Sequence, residues 1–263
     1  MGWQCFAAER MRAAAKSKYL LIDISNSYTK LAFSRADSIG RASRIPTRSL
    51  TKAALREFIG SRSAEAFIVS SVVPAKNSVI TNAANGARVL FLDATSKLGV
   101  GVDYPKPQTI GADRLANAAA VAELYGKPAI VVDFGTAVTF DVVSACGDYV
   151  GGVIAPGLES MTSFLYQRTA LLPKLSLQEP RRAIGKTTRA AMMSGAIYGY
   201  RGLVREILAR IRAEAFPRRD VRVVATGGYA ELIARTLPEI EAVHAGLTLE
   251  GLRIVGNLNT ARA

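Results

Sequence analysis

The run from Tyr19 to Ile24 is apolar except for Asp23, and after a short polar turn the segment Thr29 to Arg35 alternates in character. That pattern predicts a buried strand, a tight turn and a second strand. A polar connection with Pro46 leads to a helix expected over Lys52 to Ser61. Two further buried strands are predicted at Phe67 to Val73, stopped by Pro74, and at Arg88 to Asp93. A proline-bearing loop then enters an Ala-rich helix, about Ala112 to Tyr125, which Gly126 and Pro128 stop.

The second half opens on a strand, Ala129 to Val132, followed by Asp133, Gly135, Thr136 and another alternating segment. A glycine-proline turn and a helix come next. A long helix, Thr187 to Ala215, carries small residues on one stripe and suits close helix packing. "VRVVATGGYAELIARTL" reads as strand, glycine turn and helix, and "LTLEGLRIVGNLN" as a closing helix. Strands alternating with helices predict an α/β fold with a mostly parallel sheet.

"LLIDISNSYTKLAF" and "VVDFGTAVTFD" align without gaps, pairing Asp23 with Asp133, Ser25 with Gly135 and Asn26 with Thr136. A duplicated hairpin predicts two domains, divided as 18–118 and 119–263, with a cleft between them. The length of 263 residues accommodates two such units.

Composition narrows the class. A hydrophobic fraction of 49% with 21% charged residues describes a soluble globular chain. No apolar run approaches the roughly 18 residues of a membrane helix, so no membrane span is expected. Two cysteines, Cys5 and Cys146, cannot build a disulfide framework, which suits a reducing cytoplasm. Residues 1–10 precede a second methionine, Met11, lack the continuous apolar core of a signal peptide, and are read as an extension outside the fold. The net charge of +13 concentrates in residues 1–62 and 181–219 without a nucleic-acid-binding motif, so it is read as a solvated basic surface.

The chemistry lies in the turns. Amides of tight Gly, Ser and Thr turns point at phosphate oxygens, and a carboxylate beside them orients a cation or its waters. The two acidic hairpins and "ATGGYAEL" supply three such elements. "AIGKTTRA" ends like a P-loop, but Pro180 stands where that motif needs its first glycine, so a P-loop is excluded. In "GADR", Asp113 opens a helix; a first-turn carboxylate also complements any helix dipole. Its place beside the "YPKP" loop, between the two hairpins, argues for catalysis. His244, the only histidine, is far from any nucleophile signature, so a base would have to be an aspartate.

Together "DISNSYTK", "YPKPQTIGADRLANAAA", "VDFGTAVTFD", "GGVIAPGL", "IGKTTRAAMMSGAIYG", "ATGGYAELI" and "LTLEGL" strongly resemble type III pantothenate kinase, from about Tyr19 to Asn259. That family belongs to the acetate and sugar kinase, Hsc70, actin superfamily. The resemblance implies two ribonuclease-H-like domains gripping ATP in the cleft, one acidic hairpin per domain. It also implies ATP-dependent phosphorylation of pantothenate to 4'-phosphopantothenate, the first step of coenzyme A synthesis, in a cytoplasmic homodimer. By motif, Asp23, Ser25, Asn26, Ser27, Tyr28, Thr29 and Lys30 would form the first phosphate turn, with Gly135 and Thr136 near the same phosphates. Asp133 would hold a monovalent cation, K⁺ or NH₄⁺, and Mg²⁺ or another divalent cation would accompany ATP. Asp113 would take the proton from the pantothenate hydroxyl. Tyr104, Gly111, Ala112, Arg114 and, from the neighbouring subunit, Thr188 would bind pantothenate.

One position departs from the family pattern: Ser25 stands where the first motif has glycine. Either the backbone there needs a glycine conformation, which serine strains by about 1 kcal/mol or more, or the hydroxyl adds a donor; the strained backbone is the expectation. Two rivals remain: a non-catalytic accessory regulator of the same fold, and a related superfamily kinase or phosphatase with a different small substrate.

Overall fold

The computed structural model describes residues 17–260; the expected extension at residues 1–10 and Cys5 lie outside them. The elements in order are β1 (Ser17–Ile24), β2 (Tyr28–Ser34), β3 (Ser43–Pro46), α1 (Lys52–Ile59), β4 (Ala64–Ser71), α2 (Asn77–Ala83) and β5 (Arg88–Phe91). β6 (Gly101–Val102), α3 (Ala112–Leu124), β7 (Ala129–Phe134), β8 (Ala137–Val143) and β9 (Asp148–Pro156) follow. The chain closes with α4 (Leu158–Arg168), α5 (Thr188–Ala215), β10 (Arg222–Thr226), α6 (Ala230–Ala234), β11 (Ala242–Val243) and α7 (Leu247–Thr260).

One sheet runs β3-β2-β1-β4-β5 and the other β11-β10-β7-β8-β9-β6. Read from its β9 side, the second sheet repeats the first, hairpin for hairpin, with β6 added outside β9. The mostly parallel sheet expected from the strand-helix alternation is instead two mixed sheets. β1–β2, β2–β3, β7–β8 and β8–β9 are antiparallel, whereas β4, β5, β10 and β11 add in parallel. The physical reason is connection length: short turns join only antiparallel neighbours, while parallel additions need a crossover. β1 and β7 are central strands buried on both faces, which is why their sequences read as unbroken apolar runs.

Several ends differ from the sequence expectation. α1 stops at Ile59 because Gly60 takes φ +57, a left-handed backbone that glycine adopts without a side-chain clash. The strand expected at Phe67 to Val73 sits at Ala64–Ser71, and Pro74 instead opens a short 3₁₀ turn.

The helices explain how the sheets are held together. α1 and α2 cover one face of the first sheet around Leu55, Phe67 and Ile80. α3 and α7 cover the other face, where Leu115, Ala116 and Ala119 meet Leu252 and Val255. The opposite side of α3, with Ala118, Ala120 and Val121, packs on Ala129 and Val131 of the second sheet. The alanine run thus lets one helix lie between two sheets. Gly251 of α7 rests on the backbone of Ala116, where a β-carbon would overlap the carbonyl. The chain crosses between its halves twice: β6 pairs with β9, and α7 returns to pack on β1 and β4.

α5 covers the second sheet through Ile197, Tyr200, Val204 and Leu208. Among the described residues its small-residue stripe is not covered by another helix of the chain. β-carbons at Gly195, Gly199 and Gly202 would meet nothing within 4 Å.

Candidate active site

Asp23 and Asp133 occupy the same place in the two copies, each the penultimate residue of its central strand. Asp23 is buried at 2% exposure. Lys30, its cross-strand partner, places Nζ 3.9 Å from Asp23 Oδ2. Asp23 Oδ1 is buried with no hydrogen-bond partner. Burial pushes the Asp23 carboxyl up to about 7; Lys30 opposes this, and the negative charges of Asp113 and Asp133 reinforce it. Asp133 is also raised, chiefly by burial, with Lys30 and a hydrogen bond from Asn117 Nδ2 (3.3 Å to Oδ2) working against it.

α3 delivers the third carboxylate. Its N-cap is Gly111, and a β-carbon there would lie 2.5 Å from Asp113 Oδ1, so the glycine of "GADR" makes room for the acid that follows. Arg114 N donates to Asp113 Oδ1 at 2.9 Å. Asp113 is raised by burial and by the charge of Asp133, against the pull of Arg114. Ala112 is buried beneath it, in the core of the first sheet.

Arg114 is fixed from below. Its Nε donates to Asp141 Oδ1 at 2.6 Å, its Nη2 to the Phe140 carbonyl at 3.4 Å, and its guanidinium lies 5.7 Å from the Tyr149 ring centroid. Asp141 has no exposure; burial pushes its carboxyl to about 7 despite Arg114. Tyr149 donates to the same carboxylate at 3.4 Å, and Tyr104 lies against Tyr149 with ring centroids 6.2 Å apart. Tyr104 and Arg114 are therefore joined through Tyr149.

The first turn exposes Asn26, Ser27 and Tyr28, while Thr29 is buried and shares a 3.1 Å hydrogen bond with Thr47. Thr47 also donates to the Ser25 carbonyl at 2.6 Å. Ser25 corrects the expectation of backbone strain: among the described residues only Asn85 is a non-glycine with positive φ. The Ser25 hydroxyl instead donates to Asp23 Oδ2 at a long 3.4 Å. Gly135 and Thr136 are exposed in the second turn. Thr136 Oγ1 lies 2.8 Å from Ser27 Oγ, so the two turns touch. The third element also converges here: Gly227 has φ +95, and a β-carbon on it would sit 2.6 Å from Asp133 Oδ1.

Thr188 is the exception. It is exposed at the first turn of α5, and among the described residues no hydrogen bond or ion pair joins it to the carboxylates. His244 pairs with Tyr125, 3.0 Å from its hydroxyl, and takes no part in the cluster. Sequence reasoning missed Asp141 and Asn117 as site residues. Asn117 follows Asp113 by four positions and so shares its helix face; Thr248 fixes its amide by donating to Oδ1 at 2.9 Å. Asp141 ends the repeated hairpin, but nothing local to it announces Arg114 as its partner.

The arrangement suits a polyphosphate with its own metal. Among the described residues no three His, Cys, Asp or Glu side chains converge closely enough to cage an ion. A divalent cation commonly binds through one or two carboxylates plus substrate phosphates, and the unpartnered Asp23 Oδ1 fits that role.

Two copies of one α/β topology, each with an aspartate near the end of its central strand, bring their acidic hairpins to one shared site. A sequence profile described as type III pantothenate kinase matches residues 19–210. The chain belongs to the type III pantothenate kinase family. The enzyme of that name from Akkermansia muciniphila is 50% identical over 247 residues, 92% of this chain and 99% of that protein. The one from Methylacidiphilum infernorum is 41% identical over 239 residues, 91% and 88% of the respective chains. Among solved structures, a Baf family transcriptional activator from Campylobacter jejuni superposes with TM-score 0.56 at 19% identity, covering 90% of this chain and 96% of that one. The activator of 2-hydroxyisocaproyl-CoA dehydratase from Clostridium difficile, with bound ADPNP, gives 0.51 at 10% identity, covering 91% and 93%. These two likenesses concern the fold alone.

Proposed function

We propose that the chain phosphorylates pantothenate with ATP at the cluster of Asp23, Asp113 and Asp133, giving 4'-phosphopantothenate. The observation that carries this is the position of Asp113, a partly buried acid on a helix N-terminus beside Arg114, among the carboxylates of both phosphate turns. Membership in a family of named kinases favours catalysis over the non-catalytic regulator.

In this reading Asp23, Lys30, Ser27 and Thr136 hold the phosphates, and a divalent cation, held by Asp23 together with the phosphates, would neutralise their charge. Asp133, with Asn117 fixing one oxygen, is the residue we assign to K⁺ or NH₄⁺. Arg114 and Tyr104 orient pantothenate so that its hydroxyl donates to the Asp113 carboxylate. The hydroxyl oxygen attacks the γ-phosphorus, the bond to ADP breaks, and the proton passes to Asp113. Its raised pKa makes it a better proton acceptor than an ordinary carboxylate. Phosphoryl transfer otherwise depends on positioning and charge neutralisation.

A second copy of the chain would complete the pocket through Thr188. Support comes from exposed apolar side chains on α4, on α5 and in the segment between them. Phe164, Tyr166 and Tyr198 are exposed, Leu171 is 89% and Ile184 82% exposed, and the glycine stripe of α5 is open to a close helix neighbour. The excess positive charge is not assigned to nucleic acid. Among the described residues no helix is long and apolar enough to cross a membrane; a cytoplasmic location is part of the proposal and rests on the sparse cysteines.

The test is coupled ADP release with and without pantothenate, in K⁺ and in Na⁺ buffers. Asp113→Asn should lower kcat about 100-fold or more while calorimetry finds ATP binding retained. Mixing Asp113→Asn with Thr188→Val subunits should restore activity once they exchange, because a mixed dimer has one intact site. ADP release indifferent to pantothenate would refute the substrate.

A further inference from the structure

The strand register of the first sheet aligns more than the expected phosphate turn. Ser70 of β4 lies opposite Asp23 of β1, Asp23 opposite Lys30 of β2, and Lys30 opposite Arg44 of β3. Residues directly opposite one another project from the same face of a sheet. Ala32 and Ile68, two positions along β2 and β4 from Lys30 and Ser70, belong to the core beneath α3 and α7, so this row faces the side that carries Asp113. Arg44 therefore ends a row that begins at the acidic cluster, two strand spacings from Asp23, or roughly 10 Å.

Arg44 is also held there. Its guanidinium carbon lies 4.1 Å from the ring centroid of Tyr28, which shares the row's face two residues before Lys30. The Tyr229 hydroxyl, pushed up chiefly by burial and then by Glu159, is raised a little further by Tyr28 and opposed by Arg44. Tyr229 in turn donates to Glu159 Oε2 at 3.1 Å. Arg44 is exposed and, among the described residues, has no carboxylate partner, whereas Lys30 is drawn towards Asp23.

The charge balance gives this arrangement a task. A nucleoside triphosphate must approach three carboxylates, and the one lysine on the row is shared with Asp23. We propose that Arg44 is a further nucleotide-binding residue, its guanidinium stacked on Tyr28 and contacting the polyphosphate on the nucleoside side of Lys30. The planar fork of arginine suits two phosphate oxygens at once. This deepens the ATP-dependent reading above and lies outside the residues that the family's motif assigns.

Calorimetry with ATP and with inorganic tripolyphosphate, each with Mg²⁺, tests it on the full chain, comparing the parent, Arg44→Ala and Arg44→Lys. Arg44→Ala should bind both probes about tenfold more weakly, and Arg44→Lys should recover only part of the loss. The Michaelis constant for pantothenate should stay within twofold while that for ATP rises. Tripolyphosphate binding within twofold of the parent would overturn the proposal. Weakened ATP with unchanged tripolyphosphate would also overturn it, moving Arg44 to the nucleobase. A parent protein without pantothenate-dependent ADP release would sink the substrate reading but leave the tripolyphosphate comparison intact.

Discussion

Replacing Asp23 by asparagine should make the ligand-free protein more stable at alkaline pH while abolishing its use of ATP. Asp23 is 2% exposed, and its carboxyl is raised from 3.8 to about 7, chiefly by burial. Between those values the folded chain binds more protons than the unfolded chain, so this residue makes stability fall as pH rises from about 4 to 7. Three pKa units at 1.36 kcal/mol each set an upper bound of about 4 kcal/mol for the cost of its charge above pH 7. Asparagine removes that cost but deprives Lys30, 29% exposed, of its partner at 3.9 Å. The pull of Lys30 is already contained in the raised value, so the pair is not counted again; relaxation and water entry around the charged carboxylate about halve the bound. The expected gain is therefore about 2 kcal/mol at pH 8, shrinking towards zero near pH 4. Urea denaturation of both proteins at the two pH values, with chelator present and ATP absent, measures it. A loss of stability at pH 8, or a gain that does not change with pH, would refute the reasoning.

Two other substitutions separate roles within the site. Asp141→Asn weakens the buried contact that fixes Arg114 at 2.6 Å. The amide oxygen still accepts from Nε, and the charge that is lost is one that burial disfavours despite Arg114, so the expected outcome is a roughly tenfold rise in the pantothenate Michaelis constant with little change in that for ATP, and no large loss of stability in urea denaturation at pH 8. Ser25→Gly should leave the ATP Michaelis constant within about threefold and cost about 0.5–1 kcal/mol of stability, because no positive φ needs relief and the hydroxyl bond is long. A several-fold fall in that constant would reinstate backbone strain.

Much of the architecture was legible in the order of residues. Asp23 and Asp133 recur at the ends of matching apolar runs, and the structure gives those runs the same place in two sheets of matching topology. Strand and helix patterns are local, set by periods of two and 3.6 residues, so β1, β7, α3, α5 and α7 could be located from the sequence. The family motifs also bring Asp113, Arg114 and the two turns to notice, and the fold gathers them. Long-range placement was not legible. Neither β6 joining the second sheet nor α7 returning to the first has a local signature, because partner choice depends on which apolar surfaces remain uncovered after the sheets form. Asp141 closes on Arg114 across 27 positions, Asn117 is oriented by Thr248 across 131, and Arg44 joins the row of Asp23 only through register. Ser25 makes the same point in reverse: its residue type suggested strain, but backbone angles follow from the whole turn, here tied to Thr47. Sequence determined which groups were available to the site, and tertiary packing decided which were buried, which were paired and which were left exposed in the turns. Charge, burial and hydrogen bonding depend on distance in space, and only the folded chain fixes those distances.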